Sequence, residues 1–163
     1  MKNIVYCFWT DVNEMSKTRR ECLEQMQKVK DLEICLITSY NLDSYISENN
    51  PLHEGFYYLN PTHKSDYLRC YFMNFYGCGY SDIKIMNENY SKGFKILLES
   101  DDYALGYKEI GKGGIAYVKE PLYTELCDNW EKIIGCGSFI CKPNTPFTNQ
   151  WYNELINKMD EKL

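Results

Sequence analysis

The chain has 163 residues, of which 44% are hydrophobic and 15% aromatic, and its formal net charge is −5. This length and apolar content predict one domain over residues 1–163 with a buried core, and they exclude a disordered segment. The acidic balance argues against non-specific nucleic-acid binding, which needs clustered Lys and Arg.

The predicted elements begin with a strand at Ile4–Trp9, which is apolar on both faces, as in parallel sheets covered by helices. A helix is predicted at Ser16–Lys30, with Lys17-Thr18-Arg19-Arg20 facing water, and a second buried strand at Glu33–Thr38. Strand, helix and strand within about forty residues form a βαβ unit, so we predict an α/β fold with a mostly parallel sheet flanked by helices.

A polar connection at Asn41–Pro51 leads to the most informative segment. Asn60-Pro61 breaks the chain, and a helix is predicted from Thr62 to Tyr76 with an apolar stripe at helical spacing. Gly77 follows at the position where a left-handed backbone ends a helix. A short strand then ends at Asp82.

The remaining chain predicts alternating helices and strands around a glycine-rich loop. In order these are a helix at Tyr90–Glu99, a strand at Tyr103–Tyr107, a flexible loop at Ile110–Tyr117, a helix at Tyr123–Trp130, a strand at Phe139–Lys142 and a helix at Pro146–Lys162.

Three charged side chains of the central segment are predicted to share one crevice with glycine walls. Asp66 and Arg69 lie three residues apart and therefore on one helix face, where they either form an ordinary ion pair or bind a ligand. Asp82 ends a strand, where open α/β sheets bind ligands, although an aspartate there can also cap a turn. A carboxylate–guanidinium pair beside a second carboxylate suits a phosphorylated sugar.

These residues resemble the glycosyltransferases with a DXD sugar-binding motif, most closely the capsular polysaccharide synthesis proteins. Ser65-Asp66-Tyr67-Leu68-Arg69 is similar to the helix motif of that family, and Gly77-Cys78-Gly79-Tyr80-Ser81-Asp82 to its glycine–strand motif. Val5 to Thr10 resembles the opening strand, and Gly135 to Pro143 the strand before the last helix. The likeness spans roughly residues 3 to 160 and departs at Lys84, which stands where the family has its second acid.

The resemblance implies a single GT-A-like domain, of the nucleotide-diphospho-sugar transferase type, that moves a sugar from a UDP-linked donor to a polysaccharide or glycan acceptor. It implies catalytic roles for Asp82, Asp66 and Arg69, and a divalent cation, Mn²⁺ or Mg²⁺, at Asp82. The donor nucleotide sugar is expected to contact Trp9, Thr10, Thr38, Lys64, Asp66, Arg69, Gly77, Gly79, Tyr80 and Lys84. Gly137 and Ser138 would line the acceptor side.

Lys84 leaves two alternatives open. Its ammonium has no lone pair for a cation, so it either pairs with phosphate as a point charge or ends the strand in solvent. The same substitution motivates a second function, a non-catalytic nucleotide-sugar-binding module or a subunit of a glycan-synthesis complex. A Cys–His hydrolase built on His63 is a third reading, which no nucleophile motif supports.

The eight cysteines include no CxxC pair, and several lie in apolar runs. We therefore predict reduced, buried thiols, as in cytosolic proteins. The apolar run at Ile4–Trp9 is too short to span a membrane.

Overall fold

The computed structural model describes residues 2–86 and 89–161. Its strands are β1 (Ile4–Trp9), β2 (Glu33–Thr38), β3 (Cys78–Ser81), β4 (Ala104–Lys108) and β5 (Ile134–Cys141). Its α-helices are α1 (Lys17–Met26), α2 (Pro61–Phe75), α3 (Tyr90–Glu99), α4 (Leu122–Asp128) and α5 (Pro146–Asp160). No helix in these two ranges is long and apolar enough to cross a membrane.

The strands form one mixed sheet in the order β2-β1-β3-β5-β4. The β1 strand pairs in parallel with β2 and with β3, whereas β5 is antiparallel to both β3 and β4. Four of the strands therefore run in one direction and β5 runs against them. This confirms the predicted α/β class with a single open sheet flanked by helices.

Helices cover both faces of the sheet around β1. Cys7 of β1 packs with Met26 of α1 on one face. The neighbouring Phe8 points to the opposite face, where its ring centroid lies 5.1 Å from that of Phe72 in α2. Since the chain leaves β1 through α1 to β2 on one side and returns through α2 to β3 on the other, β1 and β3 border a topological switch point.

The α2 helix begins and ends where the sequence predicts, to within a residue. The Asn60 side chain accepts a hydrogen bond from the backbone N–H of His63 at 2.9 Å, and Pro61 occupies the first turn. After Tyr76 the chain reverses at Gly77, whose φ is +65°. Leu68 and Phe72 are fully buried because the helix lies between the sheet and α5.

Several predicted boundaries were wrong. The α1 helix ends at Met26 rather than Lys30, because the chain turns through Asp31, at φ 61°, to enter β2. The β5 strand begins at Ile134 rather than Phe139. The glycines of β5 have low strand propensity, which hides the start of this strand. Gly135 is nevertheless required there, because a Cβ on it would lie 2.3 Å from the ring of Tyr107 in the neighbouring strand β4.

The other elements differ from the predictions by less. The predicted strand at Tyr103–Tyr107 lies one residue further on, and the helix predicted at Tyr123–Trp130 is α4 followed by a 3-10 turn at Trp130–Lys132. The polar connection contains a 3-10 turn at Leu42–Tyr45. Lys162, where the closing helix was predicted to end, lies outside the described residues.

The cysteines are free thiols, and Cys7, Cys70, Cys78 and Cys141 are buried while Cys136 is exposed. Burial raises the pKa of Cys7 and of Cys141 to about 12. Both thiols are therefore protonated at neutral pH and serve as small apolar side chains.

This difference predicts a selective alkylation pattern. At pH 8 we expect iodoacetamide to label Cys136 in the native protein and to leave Cys7 and Cys141 unmodified, because a thiolate is the reacting species. Peptide mapping by mass spectrometry measures the labelling, and the protein unfolded in guanidinium is the control in which all three react. Labelling of Cys7 at the rate of Cys136 would contradict the buried core.

Candidate functional site

A cavity of about 620 Å³ opens at the switch point, at the carboxyl ends of β1 and β3. Phe8, Trp9 and Thr10 end β1 in its wall, and Tyr80, Ser81, Asp82 and Ile83 end β3 there. The first turns of α1 and α2 complete the wall with Ser16, Arg19, Pro61, Thr62 and Ser65, and the loop after β1 adds Asp11, Asn13 and Glu14. Its size suits a nucleotide or a sugar phosphate.

The amino ends of two helices contribute to this cavity. Ser16 caps α1 by accepting a hydrogen bond from the N–H of Arg19 at 3.3 Å, and Asn60 caps α2. Neither helix has an acidic residue in its first turn. The positive ends of the two helix dipoles therefore lie at the cavity, whose wall also carries the carboxylates of Asp11, Glu14 and Asp82.

Asp82 also lines the cavity and is held by its neighbours. Its backbone N–H donates to the carbonyl of Gly137 at 2.9 Å. The hydroxyl of Tyr80 donates to Asp82 Oδ1 at 2.6 Å, and Lys84 Nζ lies 3.9 Å from Oδ2. Burial, and then the hydrogen bond to Asp82, raise the pKa of Tyr80, so that its hydroxyl stays a neutral donor.

The backbone of β5 closes around the Asp82–Lys84 pair. A Cβ added to Gly137 would lie 2.7 Å from Lys84 Nζ and 3.0 Å from Asp82 Oδ2. Lys84 also lies over the Tyr107 ring, 6.0 Å from its centroid, and keeps 41% of its side chain exposed. The ammonium therefore lies beside the carboxylate and is partly exposed, but Lys84 is not among the residues that line the cavity.

Arg69 lies on the far side of Tyr80 from this pair. Its guanidinium forms an ion pair with Asp66, donates to the carbonyl of Cys136 at 2.5 Å, and lies 5.4 Å from the Tyr80 ring centroid. Arg69 lines a second cavity rather than the first. The prediction that Asp66, Arg69 and Asp82 share one crevice was therefore wrong, because Tyr80 stands between the two sets.

The other predicted donor contacts divide between the cavity and its surroundings. Trp9, Thr10 and Tyr80 line it, and Trp9 Nε1 donates to the carbonyl of Asn13 at 2.8 Å, which fixes the indole. Thr38 pairs with Trp9 across the sheet, but its N–H donates to Asn41 at 2.7 Å and it is not part of the wall. Lys64 lies over the Phe56 ring, 5.8 Å from the centroid, and is also outside the wall.

The two glycines of the motif have backbone roles at the amino end of β3, away from Asp82. Gly77 has a positive φ, and a Cβ on Gly79 would lie 2.8 Å from Val5 Cγ2. The expected glycine walls of the crevice were therefore wrong. Polar and aromatic side chains line the cavity instead.

Sequence reasoning missed the residues that α1 and the start of α2 supply. Arg19 is exposed overall, as predicted, yet its guanidinium also donates to the carbonyl of Ile83 and lines the cavity. Its position three residues after the cap Ser16 was a usable signal, because a helix that follows a parallel strand starts at the carboxyl edge of the sheet. Thr62 and Ser65, two and five residues after the cap Asn60, line the cavity from the start of α2.

The donor set at Asp82 does not fit a cation held by protein ligands alone. Within residues 2–86 and 89–161 there is no group of three or more His, Cys, Asp or Glu side chains that could hold a metal ion. Asp82 Oδ1 already accepts from Tyr80, and a lysine lies beside Oδ2. No step is therefore assigned to a metal.

Comparison with known proteins adds no family to these observations. No family model matches the chain, and no curated protein or solved structure matches it at a significant level. The likeness to capsular polysaccharide synthesis proteins therefore depends on the motif residues alone.

Proposed function

We propose that the chain transfers a sugar from a nucleotide donor, UDP-linked, to a glycan or polysaccharide acceptor on a GT-A-like domain. The observation that carries the proposal is the cavity at the switch point, with Trp9 at the end of one parallel strand and Asp82 at the end of the next. Open α/β sheets bind nucleotides at this place. The motif resemblance supplies the sugar and the transfer reaction.

The cavity offers a place for each part of such a donor. The fixed indole of Trp9 offers a stacking face to the nucleobase. We place the diphosphate at the two helix amino ends and Arg19, which are the electropositive groups of a wall that also contains Asp11, Glu14 and Asp82. The sugar hydroxyls donate hydrogen bonds to the carboxylate oxygens of Asp82.

In the reaction the oxygen of the acceptor hydroxyl bonds to the anomeric carbon of the donor sugar. The bond between that carbon and the diphosphate oxygen breaks, and its electron pair leaves with the nucleoside diphosphate. The proton of the acceptor hydroxyl passes to water. The departing diphosphate gains negative charge. We assign the stabilisation of that charge to Lys84, whose Nζ lies 3.9 Å from Asp82 Oδ2 at the border of the cavity. A divalent cation bound by Asp82 and phosphate oxygens stays a prediction. Asp11 and Glu14 line the same cavity, but among the described residues they form no group with Asp82 that could hold a metal ion.

The direct test combines binding with turnover. We expect a UDP-sugar to raise the melting temperature, and the protein to release UDP slowly from it and faster with an acceptor glycan present. Thermal unfolding and coupled UDP detection measure the two effects. If no nucleotide sugar bound at all, the proposal would be wrong.

The second candidate is a non-catalytic nucleotide-sugar-binding subunit, and the lysine at the position of the second acid favours it. Stabilisation by UDP-sugars without UDP release, even with acceptors, would select this reading. The compartment proposed for either function is the cytoplasm, where the eight free thiols stay reduced.

Exchanging the charge at residue 84 tests the role of the lysine. Lys84→Ala should weaken UDP binding about tenfold, because the diphosphate loses a point charge. Lys84→Asp creates a second carboxylate beside Asp82, so we expect its UDP binding to become dependent on Mn²⁺ and sensitive to EDTA. Calorimetric titration with and without Mn²⁺ measures both. Lys112→Ala is the matched control, since Lys112 is exposed and pairs with Asp128 away from the cavity.

A further inference from the structure

The second cavity has a volume of about 450 Å³ and lies between β5, the edge strand β4 and α5. Its wall is mainly apolar and aromatic, with a few polar side chains. Its rings are those of Phe139, Phe147 and Trp151, and its polar members are Arg69, Gln150 and Glu154.

One face of α5 supplies the rings and most of the polar groups. Phe147, Gln150, Trp151 and Glu154 follow the i, i+3, i+4, i+7 spacing and therefore share this face. The Trp151 ring lies 5.9 Å from that of Phe139 and 6.0 Å from that of Phe147, and Phe147 is 43% exposed. Rings beside amide and carboxylate oxygens suit a saccharide, which presents an apolar C–H face and a rim of hydroxyls.

Arg69 connects this cavity to the proposed donor site. It lines the second cavity, and its guanidinium lies 5.4 Å from the Tyr80 ring centroid. The hydroxyl of Tyr80 donates to Asp82 in the first cavity at 2.6 Å. Arg69 in the wall of the second cavity therefore packs against Tyr80 in the wall of the first.

We propose that the second cavity is a saccharide subsite for the acceptor glycan, with one sugar ring stacked on Trp151 and its hydroxyls bonded to Gln150, Glu154 and Arg69. The proposal rests on the proposed function, since it names the acceptor's position relative to the donor. It assigns specificity to α5, an element that the motif resemblance leaves without a role.

The three tryptophans allow both sites to be tested in one experiment. Trp9 lines the first cavity and Trp151 the second, while Trp130 lies outside both, under Lys108. Fluorotryptophan incorporated into the full chain gives three fluorine NMR resonances, assigned by Trp→Phe variants. UDP is added first, and then cellobiose, maltose, lactose and chitobiose in separate titrations.

We expect UDP to shift the Trp9 resonance, at least one disaccharide to shift the Trp151 resonance, and neither to shift Trp130. Trp151→Ala should lower disaccharide affinity at least tenfold, with the affinity for UDP unchanged, whereas Trp130→Ala should change neither. Tightened disaccharide binding with UDP bound would support adjacent donor and acceptor sites.

Other outcomes overturn one proposal or the other. A Trp151 resonance that no disaccharide moves excludes the saccharide subsite. A resonance that moves with protein concentration alone shows that a second copy of the chain covers the cavity, which also overturns it. If disaccharides shift Trp151 but neither UDP nor other nucleoside diphosphates shift Trp9, the subsite stands as a carbohydrate-binding site and the proposed transfer fails.

Discussion

Asp82→Asn is expected to lower the rate of sugar transfer by about 100-fold or more while leaving the fold intact. The amide keeps the shape of the carboxylate and can still accept the hydrogen bond from Tyr80, which is 2.6 Å long in the native protein. The substitution removes the negative charge that attracts Lys84, whose Nζ lies 3.9 Å from Oδ2 in the native protein. It also weakens residue 82 as a hydrogen-bond acceptor for sugar hydroxyls. Steady-state release of UDP with donor and acceptor present measures the loss.

Two measurements keep this expectation separate from misfolding. The urea midpoint of Asp82→Asn should match that of the wild type, because 46% of the Asp82 side chain is exposed. Asp102→Asn makes the same chemical change at an exposed turn after α3 and should leave the rate unchanged. Wild-type turnover in Asp82→Asn would place the reaction centre elsewhere.

Gly77→Ala is expected to cause the largest loss of stability, about 3 kcal/mol in the free energy of unfolding. Gly77 has φ +65°, which strains any residue with a Cβ. The added Cβ would also lie 2.9 Å from the carbonyl oxygen of Cys141, at the end of β5, and 2.5 Å from Cδ of Pro143, which follows that strand. Urea unfolding followed by circular dichroism measures the change, and failure to yield folded protein counts as the same result.

Gly113→Ala is the matched control for this substitution. No atom lies within 4 Å of a Cβ built there. Its free energy of unfolding should therefore stay within about 0.5 kcal/mol of the wild type. Equal stability of Gly77→Ala and Gly113→Ala would contradict the turn after α2.

The limits of prediction follow from residue type. The bounds of the strands at Ile4–Trp9 and Glu33–Thr38 were predicted to the residue, because polar residues mark both ends of each apolar run. The β5 strand was predicted to begin five residues too late, because Gly135 and Gly137 make its first part resemble a loop. Those glycines are explained by contacts with Tyr107 and Lys84, which come from distant parts of the chain.

The sequence by itself determined the α/β class, the position of Asp82 at a strand end and the capped helix that carries Asp66 and Arg69. These features depend on local patterns, namely hydrophobic periodicity, a cap and a glycine stop. Only the tertiary structure decided that Arg19 joins Asp82 in one cavity and that Tyr80 separates Arg69 from it. The reason is physical: which side chains share a cavity depends on strand order and crossover direction, and no local spacing in the chain encodes either.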